Sequence, residues 1–155
     1  MDLNILDIDT INLDDLYGNT ILEHCRDPRN RHKLRSPDIT ARAVNPFCGD
    51  EVEIQVILNN ERISKISAQA IGCSINQATT SLLSETIKNM SLSDIQRHST
   101  LFRQMMTTTL SSDETKRLGK LATIANVRNY PVRIKCALLP WSALDDICNE
   151  GKVRP

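Results

Sequence analysis

The chain has 155 residues, which is long enough for one domain with its own hydrophobic core. It carries 19 basic and 19 acidic residues, and this balance excludes the strong positive field that a nonspecific nucleic-acid binder uses. No uninterrupted apolar stretch approaches the roughly 20 residues of a membrane-spanning helix. We therefore predict a single domain over residues 1–155 with no nucleic-acid or membrane partner, and a monomer because the sequence has no large apolar surface stripe.

Residues 1–12 are predicted to form a loosely ordered lead-in with an acidic character. Its aspartates give it negative charge, whereas a signal peptide begins with positive charge, so we predict a cytoplasmic protein. Five cysteines in a chain without an export signal argue against a disulfide framework and leave thiol or metal chemistry. The cysteines are Cys25, Cys48, Cys73, Cys136 and Cys148.

A first helix is predicted where apolar side chains recur at helical spacing, until Asp27 and Pro28 end the pattern. These side chains are Leu13, Leu16, Tyr17, Ile21 and Cys25. The polar, proline-punctuated stretch RDPRNRHKLRSPD then predicts an exposed connection. Its basic residues, Arg26 to Arg35, fit a solvated loop better than a docking surface.

A β-hairpin is predicted next, because two runs of apolar residues alternate with other residues at a period of two. The runs are Val52, Ile54, Val56 and Leu58, followed by Ile66, Ala68 and Ala70. Asn59 and Asn60 supply the turn chemistry between the two strands.

Helical patterns fill most of the remaining sequence. A helix begins right after Cys73, with Ser74 and Gln77 spaced as a capping box. Two further helices are predicted over residues 93–107, capped by Ser93 and Gln96, and 113–127, capped by Ser112. The segment YPVRIKC then predicts a short extended piece, followed by a last helix that stops at Gly151 and has Pro140 in or near its first turn.

The hairpin brings Cys48, Asp50 and Cys73 to one end of the sheet. If residues 59–60 form the turn, Cys48 faces Ile71, and if residues 59–62 form it, Cys48 faces Cys73. Two thiols and a carboxylate at such a place form an incomplete tetrahedral metal site, which needs a third cysteine or a histidine. Three unrelated thiols remain the alternative, because free cysteine often serves only for core packing.

Cys136 is the best candidate for the missing ligand, because it lies, like Cys73, where an extended piece is predicted to enter a helix. Helix N-termini lower the pKa of a thiol, which favours metal binding and nucleophilicity. Arg133 and Lys135 supply nearby positive charge, and Asp50 is expected to be the ligand that exchanges most easily. Cys25 and Cys148 look like core residues, while His24, His32 and His98 are expected to be structural or solvated.

Three segments carry a resemblance to a known family. The segments NPFCGDEVEIQV, AIGCSINQATTSLLSE and YPVRIKCALLPWSAL resemble the three cysteine motifs of the SufU/IscU (NifU-like) iron–sulfur cluster assembly family, and LYGNTILEHCRDPRN is similar to its first helix. The resemblance spans residues 14–149. Lys135 stands where IscU-type proteins have a histidine, and residues 92–130 hold a longer insert, which both match the SufU branch. Phe47 departs from the family, where a smaller or hydroxyl residue is common.

The resemblance implies an α+β fold, with a small antiparallel sheet of about three strands and helices packed on one face. It implies a Zn²⁺ site of Cys48, Asp50, Cys73 and Cys136 in an acceptor and carrier of persulfide sulfur. The donor would be a cysteine desulfurase of the SufS type that lends a histidine to the metal and frees Cys48 for sulfur, with Arg133 at the interface. Downstream cluster-assembly proteins would receive the sulfur.

Two alternatives to the sulfur carrier remain open. The same ligands could build an iron–sulfur cluster, which would make the protein a scaffold, or they could hold zinc in an inert structural module. Whether the protein is an enzyme, as a zinc-dependent sulfurtransferase, is left open by the sequence.

Overall fold

The computed structural model describes residues 18–153 of the chain. The predicted lead-in and the helical positions Leu13, Leu16 and Tyr17 lie outside these residues. Helix α1 spans Asn19–Arg26 and ends before Pro28, as predicted. The connection that follows is less solvated than expected, because the Arg29 N–H donates to Ser81 Oγ (2.8 Å) and the Asn30 side chain donates to Ser84 Oγ (3.0 Å).

Three antiparallel strands form one sheet in the order β1-β2-β3. They are β1 (Ile39–Asn45), β2 (Asp50–Asn59) and β3 (Arg62–Ile71). The β2–β3 hairpin and the three-strand sheet are confirmed. Sequence periodicity did not predict β1, because only Ile39 of this strand is fully buried and the period-two signal is weak.

Near its turn, the hairpin has the register predicted for a turn over residues 59–62, because Leu58 pairs with Ile63. At its far end, the register differs from both predictions. Asn59 pairs with Arg62, so the turn consists of Asn60 and Glu61, which both have left-handed φ values (52° and 62°). A β-bulge between Ile57 and Leu58 then shifts the pairing by one residue, so that Glu51 faces Ile71. The local pattern carries no signal for this bulge, which sets the alignment at the far end of the hairpin.

Four helical segments lie between the sheet and the last helix. They are α2 (Ser74–Ile87), α3 (Leu92–Met105), α4 (Ser112–Leu118) and a 3₁₀ helix (Gly119–Asn129). The predicted single helix over 113–127 is therefore wrong in part. It divides at Gly119, whose φ of 59° is outside the helical region.

The predicted helix caps were displaced. The N-cap of α2 is Cys73 rather than Ser74, and Gln77 donates to the Gly72 carbonyl (2.8 Å) instead of completing a capping box. Helix α3 is capped by Ser91 instead of Ser93. Helix α4 is capped by Ser111, which forms a complete capping box with Glu114, instead of Ser112.

The last helix, α5 (Pro131–Val153), begins earlier than predicted. The extended interpretation of YPVRIKC was wrong, because Pro131 occupies the first helical position, where proline is well tolerated. Pro140 consequently lies inside the helix, where it removes the N–H that would bond the carbonyl of Cys136. Gly151 does not end the helix, and a Cβ at Gly151 would lie 2.6 Å from Leu92.

One aliphatic core lies between a single face of the sheet and the helices. Trp141 is its large aromatic anchor, as expected, and its ring centroid lies 5.2 Å from that of Phe102. Helix α5 packs on β1 and β2, while α2 packs on β3. This packing places the second turn of α5 and the first turn of α2 at the same end of the sheet.

Candidate metal centre

A tight turn between β1 and β2 presents Cys48 to solvent. Asn45 holds this turn at its base, because its side-chain Oδ1 accepts the Phe47 N–H (3.0 Å) and its carbonyl accepts the Gly49 N–H (2.9 Å). Gly49 has a φ of 74°, a left-handed conformation that glycine adopts without strain. Both bonds return to Asn45, the last residue of β1, and neither joins the turn to α5.

Asp50 is the first residue of β2 and its side chain is buried, with 2% of the residue exposed. Its Oδ1 accepts the Cys73 N–H (3.1 Å), which ties β2 to the start of α2. Its Oδ2 is buried and has no hydrogen-bond partner among the described residues. A buried carboxylate oxygen without a partner is costly, and a cation ligated by this oxygen would remove the cost.

Cys73 is the N-cap residue of α2 and is half-buried, with extended backbone and no capping bond from its side chain. Asn76 fixes this junction, since its Nδ2 donates to the carbonyls of Glu51 (3.3 Å) and Ile71 (3.2 Å). Cys73 is thereby held at the end of the sheet, where its side chain also packs against the core.

Cys136 projects from the second turn of α5 and is buried, with 3% exposed. Its Sγ, the Cys48 Sγ and an Asp50 carboxylate oxygen all lie within 4.8 Å of one another. Cys73 lies near enough to Cys136 to raise the pKa of the Cys136 thiol. The structure thus groups three of the four predicted ligands, Cys48, Asp50 and Cys136. Cys73 adjoins this group through the bond from its N–H to Asp50.

The electrostatics of Cys136 differ from the prediction. Burial raises the pKa of the Cys136 thiol above its ordinary value, and the neighbouring Cys73 and Asp50 raise it further. The expected lowering by a helix N-terminus was wrong for Cys136, because this residue lies inside α5 rather than at its start. A divalent cation bound at this position would hold the thiol as thiolate against this tendency.

The donor set fits a soft or borderline metal. Three sulfur atoms and one carboxylate oxygen match the ligand number and type that zinc takes in proteins, and iron–sulfur clusters are also held by thiolates. Among the described residues, Cys48, Asp50 and Cys136 form the single group of three or more His, Cys, Asp or Glu side chains arranged to hold a metal ion.

Two cationic side chains lie on α5 near the centre. Arg133 is half-buried and lies one helical turn before Cys136, so the two residues share a helix face. Lys135 is exposed, and its Nζ lies 5.6 Å from the centroid of the Phe47 ring. Phe47 itself is 90% exposed beside Cys48.

The other predicted residues lie outside the cluster. Cys148 is buried in the core, as predicted, and His24 is buried with its Nδ1 2.7 Å from Ser81 Oγ. Cys25 packs on the core, but its thiol also donates to the Ser74 carbonyl (3.2 Å), one residue after Cys73. Sequence reasoning missed this proximity, because the packing of α1 on α2 decides it.

His32 and His98 also lie outside the candidate metal cluster. His32 is exposed, and the ring nitrogens of His98 lie near the carbonyls of Asp94 (3.1 Å) and Arg117 (3.0 Å). None of the helices in the described part of the chain is long and apolar enough to span a membrane.

The fold and the cluster define a class: a small α+β domain with a cysteine-rich candidate metal centre at one end of a three-stranded sheet. Residues 16–137 match the model of the NifU-like N terminal domain, and the chain belongs to this family. The family resemblance predicted from the motifs is therefore confirmed.

Relatives of known name and structure agree with this membership. The chain is 33% identical over 134 residues to the zinc-dependent sulfurtransferase SufU of Bacillus subtilis (strain 168). This alignment covers 86% of this chain and 90% of that protein. It is 27% identical to the iron–sulfur cluster assembly scaffold protein IscU of Streptococcus pyogenes serotype M1, over 86% of this chain and 83% of that protein.

Among solved structures, a SufU scaffold protein for the SUF system from Fervidobacterium islandicum AW-1 superposes with a TM-score of 0.79 at 26% identity, covering 86% of this chain and 96% of that chain. A NifU-like N-terminal domain from Brucella abortus superposes with a TM-score of 0.82 at 18% identity, covering 93% of this chain and 99% of that chain, which shows the shared fold. The predicted α+β fold is confirmed.

Proposed function

We propose that this protein is an iron–sulfur cluster assembly protein of the SufU type, which binds Zn²⁺ through Cys48, Asp50, Cys73 and Cys136 and accepts persulfide sulfur from a cysteine desulfurase. The observation that carries the proposal is the buried Asp50 carboxylate, which has one oxygen within 4.8 Å of the thiols of Cys48 and Cys136. Its Oδ2 has no hydrogen-bond partner among the described residues. The similarity to a protein named as a zinc-dependent sulfurtransferase supports the same chemistry.

The bound zinc would supply positive charge that keeps the three sulfur atoms as thiolates. Three thiolates and a carboxylate around a divalent ion leave a net charge of about −2, which favours nearby cations. Arg133, on the same face of α5 as Cys136, is placed to compensate this charge and to face a docked partner. Asp50 fixes the position of Cys73 through its bond to the Cys73 N–H.

Cys48 is the proposed sulfur acceptor, because its exposure separates it from the other two thiols. Cys73 is half-buried and Cys136 is buried, so a sulfur donor carried on another protein reaches Cys48 first. The Cys48 thiolate attacks the outer sulfur of the donor persulfide, the S–S bond breaks, and its electron pair leaves with the donor thiolate. The step yields a persulfide on Cys48 and needs no external oxidant or reductant.

The surface around the ligands supports a protein partner. Four large apolar side chains near the ligands are exposed: Val44, Phe47, Ile71 and Val132. The first two precede Cys48, Ile71 precedes Cys73, and Val132 lies in the first turn of α5. Exposed apolar side chains that cluster near a reactive site mark an interaction surface. We propose the cysteine desulfurase as the partner that covers them.

Two other functions use the same ligands and are separated by experiment. The similarity to proteins named as IscU scaffolds favours cluster building as the second candidate. Lys135 favours sulfur transfer, because it replaces the histidine that the resemblance places there in IscU-type proteins. An inert structural zinc module would bind metal without reacting.

The test is anaerobic purification followed by measurement of zinc, iron and acid-labile sulfide, and by a desulfurase turnover assay. Bound zinc with strong stimulation that Cys48→Ala abolishes supports sulfur transfer. Stable iron and sulfide support the scaffold, and zinc without stimulation supports the structural module. Cys148→Ala is the matched control, because it removes a thiol outside the cluster and is expected to keep the stimulation.

A further inference from the structure

The tip of the turn that carries Cys48 is joined to α5 by a contact between two side chains. The Lys135 ammonium lies 5.6 Å from the centroid of the Phe47 ring, which is within cation–π range. Phe47 directly precedes Cys48, and Lys135 directly precedes Cys136. The contact therefore connects the two chain segments that bring Cys48 and Cys136 together.

Other contacts leave the tip of this turn open toward α5. The turn's main-chain N–H bonds run from Phe47 and Gly49 to Asn45, so they stabilise the turn itself and do not join it to α5. A cleft of about 300 Å³ separates the turn from α5, with Pro46 on one side and Leu138 and Leu139 on the other. The Phe47–Lys135 contact lies at this cleft.

Both side chains are available for this contact because little else engages them. Phe47 is 90% exposed, so its ring does not belong to the core. No carboxylate of the described residues forms an ion pair with Lys135. An ammonium over an aromatic face keeps most of its hydration while it gains the attraction of the ring.

We propose that Phe47 and Lys135 form a latch that restrains the Cys48 turn against α5 and sets how often the turn opens. They are positioning residues, because they act through the turn and not on a reacting atom. The restraint itself is independent of the proposed function, whereas its consequence for sulfur transfer rests on that function. In that case, Cys48 must leave the metal to accept sulfur, and the latch sets the ease of that departure.

A partner surface can open the latch by competition. A carboxylate of the partner that pairs with Lys135, or an apolar surface that covers Phe47, removes one half of the contact. The expected change is small, because an exposed cation–π contact corresponds to about a two- to fivefold change in an equilibrium. A weak latch suits a turn that has to open during each transfer.

The test measures amide hydrogen exchange of Phe47 and Gly49 by NMR in the metal-free full-length protein, because both N–H groups bond to Asn45 and exchange when the turn opens. Lys135→Met and Phe47→Leu are expected to raise both exchange rates about two- to fivefold. Lys135→Arg and Phe47→Trp keep a cation and an aromatic face and are expected to leave the rates near those of the unmodified protein.

Lys65→Met is the matched control, since it removes an exposed lysine of β3 that is distant from this turn in the sheet. Unchanged exchange in Lys135→Met, or an equal increase in Lys65→Met, would overturn the latch. A parallel measurement of zinc release to a chelator, expected to accelerate by the same factor in Lys135→Met, separates the two proposals. Faster exchange in a protein that binds no zinc would keep the latch and reject the metal centre.

Discussion

The main chain of Gly72 lies directly against the carboxylate of Asp50. A Cβ at position 72 would overlap Asp50 Oδ1 and would lie 3.0 Å from its Cα, and Gly72 has a φ of 126°, which L side chains rarely adopt. The absence of a side chain at Gly72 leaves the space that the Asp50 carboxylate occupies. This carboxylate accepts the Cys73 N–H and lies near the thiols of Cys48 and Cys136. Gly72 thus helps to position Asp50, a predicted metal ligand.

Gly72→Ala is expected to weaken zinc binding by about 10- to 100-fold, the usual effect of a change that reorients a ligand. It should also destabilise the protein by about 1–3 kcal/mol through backbone strain. Gly119→Ala is the matched control, because Gly119 also has a positive φ (59°) but has open space around its Cβ position. Zinc affinity measured by chelator competition should fall in the first variant alone, and an equal fall in both would reject the positioning role.

Asp50 is expected to matter more for metal exchange than for folding. Asp50→Ala leaves the Cys73 N–H unpaired but removes a buried oxygen that has no partner, so the free energy of unfolding of the metal-free protein should change by about 1 kcal/mol. Zinc release should be faster, because one ligand is lost.

Asp50→Asn separates the two roles of this side chain. Its amide oxygen can still accept the Cys73 N–H, whereas the carboxylate charge is gone, so stability should be kept and zinc release should still be faster. Thermal melts of metal-free protein and stopped-flow zinc release test this pair. Large unfolding effects with unchanged release would contradict the prediction.

The raised pKa of Cys136 predicts how stability depends on pH in the metal-free protein. Its thiol keeps its proton in the folded state above the ordinary pKa of 9.0, whereas the unfolded chain loses it there. The contribution to stability is therefore complete below about pH 9 and is lost as pH rises further. Urea unfolding at pH 8 and pH 10 should show this loss, and Cys136→Ser should reduce it. An identical pH dependence in the variant would reject the assignment.

His24 predicts a second pH dependence of opposite sign. Burial lowers the pKa of His24, and the Arg29 guanidinium lowers it further, against the opposing effect of Glu85. The folded state therefore favours neutral His24, so its contribution to stability is present above the ordinary pKa of 6.5 and is lost as pH falls.

The free energy of unfolding, measured by urea titration at pH values from about 7.5 down to about 5, should decrease toward acid pH. His24→Gln should make this decrease smaller. His32→Gln is the control, because His32 is exposed and should leave the profile unchanged. If both variants reduced the pH dependence equally, the loss of stability toward acid pH would not come from the buried imidazole of His24.

Local patterns predicted the elements whose burial follows a regular period. The β2 strand alternates buried and half-buried residues along most of its length, and α2 presents one apolar stripe, so both were identified. The start of α5 was missed, because Val132 and Ile134 imitate an alternating strand while Pro131 opens a helix. The register at the far end of the hairpin was missed because the bulge at Ile57 and Leu58 depends on local geometry that the period does not encode.

The candidate ligands were predicted in a similar way, from residue type and from position at turns. Cys48 lies between proline and glycine, and Cys73 lies where the period changes from two to a helical one, so both stood out as unusual for core cysteines. The environment of Cys136 could not be derived from its neighbours, since its burial and raised pKa come from the packing of α5 on the sheet.

The amino-acid sequence by itself determined the family, most of the element types and the identity of the four candidate ligands, because motifs and periodicity are local properties of the chain. Only the tertiary structure decided that the Cys136 and Cys48 thiols and the Asp50 carboxylate lie within 4.8 Å of one another, and that Gly72 makes room for this arrangement. The physical reason is that burial of the aliphatic core fixes α5 and α2 against the sheet, and this long-range packing, not the spacing of the motifs, sets the distances between side chains.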